Sequence, residues 1–208
     1  MKTLVIATML VLLASSVVGA IPYPYRSYTL STTGVEAQYD RLQDLYTVSS
    51  QAEDGSSYPW TEGSSAHLLA PEILAAMVYR DAERQFLSTA ERDERIKGYM
   101  ASFVDNLITF GITLETSPSV ERGYRYAEIG TGLSYIDTVV LETSDGKRYT
   151  PVRQDGDSFI SGGRWVGINH VMFPRYDGNT QIINQRTNWV RVWVVSGSRR
   201  IYYHFDIR

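Results

Sequence analysis

Near residue 107 the apolar residues of this chain change their period. Upstream they recur every three or four positions, and downstream every second position. The first spacing puts apolar side chains on one face of a helix, and the second puts them on one face of a strand. The order of elements follows: helices, then strands.

Upstream of the change, Leu69, Ile73, Ala76 and Met77 share one helical face, with Pro71 placed to suit a first turn. Ser88-Thr89-Ala90-Glu91 has the form of a capping box, in which serine and glutamate satisfy each other's early backbone amides. Behind it, Ile96, Met100, Phe103 and Leu107 make a second stripe. Glu91 with Arg95, and Asp93 with Lys97, stand four apart in the favoured order, each pair worth roughly 0.2–0.5 kcal/mol. The charge run is therefore expected to be a solvated helix face. Val35, Tyr39, Leu42 and Tyr46 form a weaker stripe. Residues 21–34 read as an extended arm and residues 50–65 as a Ser/Gly-rich loop.

Downstream, Ile108, Phe110, Ile112 and Leu114 alternate with their neighbours. A Gly/Ser/Tyr-rich stretch over 116–135 breaks the pattern, and a strand is expected over Ile136–Leu141. Thr143-Ser144-Asp145-Gly146-Lys147 is a hairpin turn, because Asp-Gly accepts the positive φ that tight hairpins need. Pro151 ends the returning strand, and further strands fit 164–173 and 181–184. Asn188–Val195 and Ile201–Ile207 form a final hairpin around Gly197. About seven strands at intervals of roughly 8–12 residues predict an antiparallel β-sandwich. With two or three amphipathic helices ahead of it, the expected fold class is α+β. Residues 66–208 would form one domain, with residues 21–65 as an arm, a weak helix and a loop.

The N-terminus begins Met1-Lys2-Thr3, continues in an apolar run from Leu4 to Ala14, and reaches the small residues Val18-Gly19-Ala20. A basic start, a short apolar core and a small-residue exit predict a cleavable signal peptide over 1–20. The run is too short to span a bilayer, so an exported chain not embedded in a membrane is expected, periplasmic or extracellular. The sequence has no cysteine. That excludes disulfides and a lipid-bearing N-terminal cysteine, and leaves stability to the core. A formal net charge of −3 argues against nucleic acid, which needs clustered positive charge. An outer-membrane barrel fits poorly: the strands are few, the first half is helical, and the chain ends in Arg208.

Chemistry-bearing motifs are scarce. His67, His170 and His204 lack the spacing of a helical zinc pair, and cysteine is absent. No Gly-x-Ser-x-Gly elbow occurs, and Gly130-Thr131-Gly132-Leu133-Ser134 lacks the strand-to-helix frame of a phosphate loop. Asp54-Gly55, Asp145-Gly146, Asp155-Gly156-Asp157 and Asp177-Gly178-Asn179 carry oxygens that suit calcium, but without EF-hand spacing they read as tight turns. No cofactor and no metal are expected.

One surface stands out in a chain with 15 Tyr and 4 Trp. In the final hairpin the aliphatic rows belong inside. Trp189, Arg191, Trp193, Tyr202, His204 and Asp206 then share the outer face, if the hairpin pairs in register. Aromatic rings with polar tips suit a sugar ring or a protein partner. The competing expectation is that the helices cover this face to bury their own stripes. Two functions follow. The first is a non-enzymatic envelope or secreted protein that binds a protein partner or glycan through an aromatic sheet face. The second is an exported hydrolase with His170 or His204 as base, between helices and sheet.

Overall fold

The computed structural model describes residues 35–53, 64–116, 138–161, 164–196 and 199–207. The signal peptide, the N-terminal arm, Asp54-Gly55 and the 130–134 glycine segment lie outside them. Helix α1 spans Val35–Tyr46 and runs into β1 (Thr47–Ser49) and β2 (Gln51–Ala52). Next come β3 (Ser65–Leu68), α2 (Pro71–Arg84), α3 (Thr89–Phe103) and β4 (Leu107–Thr116). The remaining strands are β5 (Thr138–Thr143), β6 (Arg148–Tyr149), β7 (Arg153–Ser161), β8 (Arg164–Pro174), β9 (Tyr176–Asp177), β10 (Thr180–Gln181), β11 (Trp189–Ser196) and β12 (Arg199–Asp206).

The strands form two open five-stranded sheets, ordered β1-β3-β4-β8-β7 and β2-β12-β11-β5-β6, with β9 and β10 as a separate small ladder. Every described pairing is antiparallel. At one edge the chain passes from the first sheet to the second at Ser50, between β1 and β2.

One apolar row from each sheet enters a shared core. The first sheet contributes Ile108, Phe110, Ile112, Leu114, Val171 and Phe173. The second contributes Val139, Leu141, Val190, Val192, Val194, Ile201, Tyr203 and Phe205. Phe110 marks where they meet, its ring 6.0 Å from Phe173 of its own sheet and 5.2 Å from Phe205 of the other. Asn169 interrupts the row on β8: it pairs with Ile112 and is fully buried.

Helices α1 and α2 complete this core with Leu42, Tyr46, Ile73 and Ala76. They are joined by Arg80 over the Tyr39 ring at 3.8 Å, and by the Tyr46 hydroxyl donating to Glu72 at 3.4 Å. Burial pushes the Glu72 carboxyl above its ordinary range, against its backbone and Tyr46 hydrogen bonds. Pro71 takes the first turn of α2 behind an extended Ala70 that offers no side-chain cap. The capping box at the start of α3 is formed in both directions: Ser88 Oγ accepts from the Glu91 amide at 3.3 Å, and the Ser88 amide donates to Glu91 at 2.8 Å.

Four expectations are corrected. The stripe Ile96, Met100, Phe103 and Leu107 is only half-buried: α3 buries no residue fully, although Met100 packs against the core. The helix lies outside β4, where the first sheet already fills its inner row. Residues 51–52 and residue 65, expected in a Ser/Gly-rich loop, belong to strands β2 and β3. Asp155-Gly156-Asp157 is not a turn, because it runs inside β7 with Gly156 opposite Asn169. The strand expected over 181–184 stops at Gln181. Ile182 and Ile183 are both buried, which a strand with one solvated face cannot arrange. The turns at Gly146 (φ 81°) and Gly178 (φ 59°) do use the positive φ that Asp-Gly supplies.

Candidate functional site

Strands β11 and β12 pair Trp189 with Asp206, Arg191 with His204, and Trp193 with Tyr202. Directly paired residues share a face, and Val190, Val192 and Val194 hold the opposite one in the core. On the other side of β11, Arg191 stands opposite Glu142 of β5, which in turn stands opposite Arg148 of β6. The outer face of the second sheet thus carries two acids, two arginines, one imidazole and three large rings.

These groups form a continuous ladder. The Trp193 indole N–H donates to Glu142 at 2.8 Å, and Arg148 donates to the other oxygen of that carboxylate at 3.0 Å. Trp193 and Tyr202 lie 4.9 Å apart between ring centres. The Arg191 guanidinium stands 4.9 Å from the Tyr202 ring centre and 4.6 Å from that of Trp189, within cation–π range of both. Arg191 Nε donates to His204 Nδ1 at 3.1 Å, and His204 Nε2 lies 3.2 Å from Asp206. Trp189 stands 5.7 Å from the His204 ring.

Two consequences follow. Arginine only donates, so His204 Nδ1 must present its lone pair; the neutral ring then carries its proton on Nε2 and donates it to Asp206. Burial opposes the charge on Glu142, yet the Trp193 indole and Arg148 hold its carboxyl below the ordinary range. Trp189, Arg191, Trp193, Tyr202 and His204 are half-buried and Asp206 is exposed. The helices do not take this face as their seat. They pack on one another, α1 against β1 and β3, and α3 against β4, all in the first sheet.

A second cluster lies on the outer face of the first sheet. Thr47, His67, Gly111, His170 and Asp155 follow one another in one row across β1, β3, β4, β8 and β7. The two half-buried histidines approach from either side of Gly111. A Cβ there would stand 2.9 Å from His67 Cδ2 and 3.8 Å from His170 Cδ2. Thr47 Oγ1 is 3.3 Å from His67 Nδ1, and the Phe103 ring of α3 is 5.8 Å from that of His170. Asp155 is paired with Arg153 at 2.7 Å. His204, on the other sheet, is not part of this row. Among the described residues no three side chains of metal-ligating type are grouped to hold an ion.

Burial, and secondarily the facing His170, push the His67 ring below its ordinary value of 6.5. Burial does the same to His170, against the pull of Asp155. Both bind protons more weakly folded than unfolded, so both penalise the folded state as pH falls. The stability they leave intact above the ordinary value is expected to decline once the pH passes below 6.5 and to level off beneath their folded values. Denaturation midpoints between pH 8 and pH 5 would show it, as a slope that flattens in a His67→Gln/His170→Gln variant. An equal slope in that variant rejects the assignment.

Sequence reasoning missed Glu142, although its alternation with Leu141 and Thr143 points it outward. It also missed that His67 and His170 flank Gly111, because two long-range registers create that approach.

No family model matches this chain, and no curated protein sequence matches it. Among solved structures it is similar to a protein of Burkholderia pseudomallei described as novel and of unknown function. The TM-score is 0.51 at 10% identity, over 83% of each chain. At that identity the likeness concerns the fold alone. No helix among the described residues is long and apolar enough to cross a membrane.

Proposed function

We propose that this chain is an exported, non-enzymatic binding protein: a two-layer β-sandwich that offers the outer face of β11 and β12 to a protein partner or a glycan. The observation that carries this reading is the ladder around Arg191, where Trp189, Tyr202, Trp193 and His204 are half-buried and held in place by ring contacts and hydrogen bonds. Such a surface is preorganised: its side chains lose little freedom on binding, and its rings offer flat apolar area beside hydrogen-bonding groups. Export rests on the N-terminal sequence, and the periplasm or the outside of the cell is the proposed location.

The hydrolase reading has less support. A general base needs a free nitrogen within reach of a hydroxyl or water. His204 Nδ1 already accepts from Arg191, and its Nε2 faces Asp206. Among the described residues His170 makes ring contact with Phe103 and no side-chain hydrogen bond.

The test uses a Trp60→Phe/Trp165→Phe variant, in which fluorescence comes from Trp189 and Trp193 alone. Acrylamide is expected to quench it substantially, and strong protection would remove the site. Oligosaccharide and peptide libraries are then screened against the wild type and Trp193→Ala. A ligand of this face is expected to bind the variant about 10- to 100-fold more weakly, the scale of an aromatic hot spot. A ligand indifferent to Trp193 binds elsewhere.

A further inference from the structure

One hydrogen bond in the Arg191 ladder can exist in only one protonation state of its acceptor. Arg191 Nε donates to His204 Nδ1 at 3.1 Å, and among the described residues this is the guanidinium's only hydrogen bond. A protonated imidazole carries a proton on both nitrogens and accepts at neither. It would set N–H against N–H, and one positive charge against another, across the same contact. The bond on the other side of the ring survives, because Nε2 lies 3.2 Å from Asp206 and donates in either state. A proton on His204 therefore breaks one link of the ladder and adds charge to the next, which makes that link stronger.

The surroundings decide which partner yields. His204 meets Arg191 and Trp189 of β11, and shares its face with Tyr202 and Asp206 of its own strand. The next charges along the face are paired already: Arg148 of β6 with Glu142 of β5 at 2.9 Å, and Arg200 with Glu53 at 3.6 Å. Strand β2 pairs with β12 at Ile201 and Tyr202, and the helices seat on the first sheet. Asp206 is thus the acid that would hold a charged His204 where it stands, which leaves Arg191 as the group to move. Glu142 stands directly opposite Arg191, and its carboxylate has lone pairs beyond those that Trp193 and Arg148 use. Departure of Arg191 would take the cation from the Trp189 and Tyr202 rings, whose centres are now 4.6 and 4.9 Å from it.

We propose that His204 is a proton-operated latch on the outer face of β11 and β12. Neutral, it pins Arg191 between the Trp189 and Tyr202 rings. Protonated, it pairs with Asp206 and releases the guanidinium toward Glu142. Histidine is the side chain that changes charge between about pH 8 and pH 5, so the face is set at neutral pH and undone in acid. The use of the latch rests on the function proposed above: a ligand seated on these rings is held at neutral pH and let go in acid. The latch itself stands on the hydrogen bonds alone.

Nuclear magnetic resonance of the isotope-labelled wild-type chain reads the latch without a ligand. The Arg191 Nε–H signal, identified by its loss in Arg191→Lys, is expected to shift, and to exchange faster with water, along the same curve on which the His204 ring takes up its proton. His204→Gln offers Arg191 an amide oxygen at every pH and keeps His67 and His170, so in that variant the signal is expected to stay where it is. A signal that ignores the protonation of His204, or that moves equally in His204→Gln, would overturn the latch and leave the binding reading untouched. The second arm takes a ligand of this face, recognised by its dependence on Trp193. Its affinity is expected to fall at least about five-fold from pH 8 to pH 5, the scale of one cation–π contact, in the wild type and not in His204→Gln. A ligand held equally at both pH values would remove the regulation while the face remains a binding site. If no ligand depends on Trp193, the binding reading falls and the regulation with it, an outcome that the first arm separates from a failed latch.

Discussion

Phe110→Ala is expected to destabilise the protein by about 3–5 kcal/mol, the range for removing a phenylalanine from a well-packed core. The expectation rests on where the ring stands. Phe110 is fully buried, and its neighbours Phe173 and Phe205 come from different sheets. Its loss would open a cavity between the layers at a point where neither sheet can close in without shifting a ladder of backbone hydrogen bonds. Ile168→Ala, at a site 37% exposed on the outer face of the same sheet, is expected to change stability by less than about 1 kcal/mol. Urea denaturation of both variants makes the comparison. Were Phe110→Ala to lose no more than Ile168→Ala, the two apolar rows could not be sharing one core. A lowered denaturant slope in Phe110→Ala alone would instead mean that its two sheets unfold separately.

What the sequence made legible, and what it hid, divides along the range of the interactions. The change of period at residue 107 reported β4, because alternation with one buried face depends on each residue and its next neighbours alone. The face assignments of β11 and β12 followed from the same rule, with the short connection between the two alternating runs limiting which residues could meet. The capping box at Ser88 was equally local. The short strand β3 was hidden because four residues, Ser65–Leu68, are too few to display a period, and they abut the stripe of α2. Strand β7 was hidden by its own composition: Asp155-Gly156-Asp157 has turn chemistry, and pairing with β8 along the whole of β7 overrode it.

The sites divide the same way. Six members of the Trp/Arg face were visible because they lie on one hairpin. Glu142 came from β5, and only the placement of β5 beside β11 turned an outward glutamate into the acceptor for Trp193. The row from Thr47 to Asp155 spans five strands, and no local pattern announces a register of that length.

The second large effect is expected at Gly111, where two principles oppose each other. Glycine inside a strand is unfavourable by roughly 0.5–1 kcal/mol, and a β-branched residue is favoured there, so propensity alone predicts that Gly111→Val stabilises β4. Sterics predict the reverse. Even a Cβ would stand 2.9 Å from His67 Cδ2, closer than atoms tolerate, and valine adds two methyl groups beyond it. His67 has little room to yield: its Nδ1 faces Thr47 and its ring is half-buried beside His170. Overpacking of this kind typically costs about 1–3 kcal/mol, which exceeds the propensity gain, so Gly111→Val is expected to be net destabilising. The double-mutant cycle separates the two terms. With His67→Ala in the background the space over residue 111 is open, the propensity term stands alone, and the same Gly111→Val change is expected to be neutral or stabilising. The coupling between positions 67 and 111 should then be about 1–3 kcal/mol, as for other residues in direct contact. If Gly111→Val stabilised the wild-type background as well, the imidazoles could not be leaning over Gly111. The secondary contribution of His170 to the lowered value of His67 would lose its geometric basis along with them.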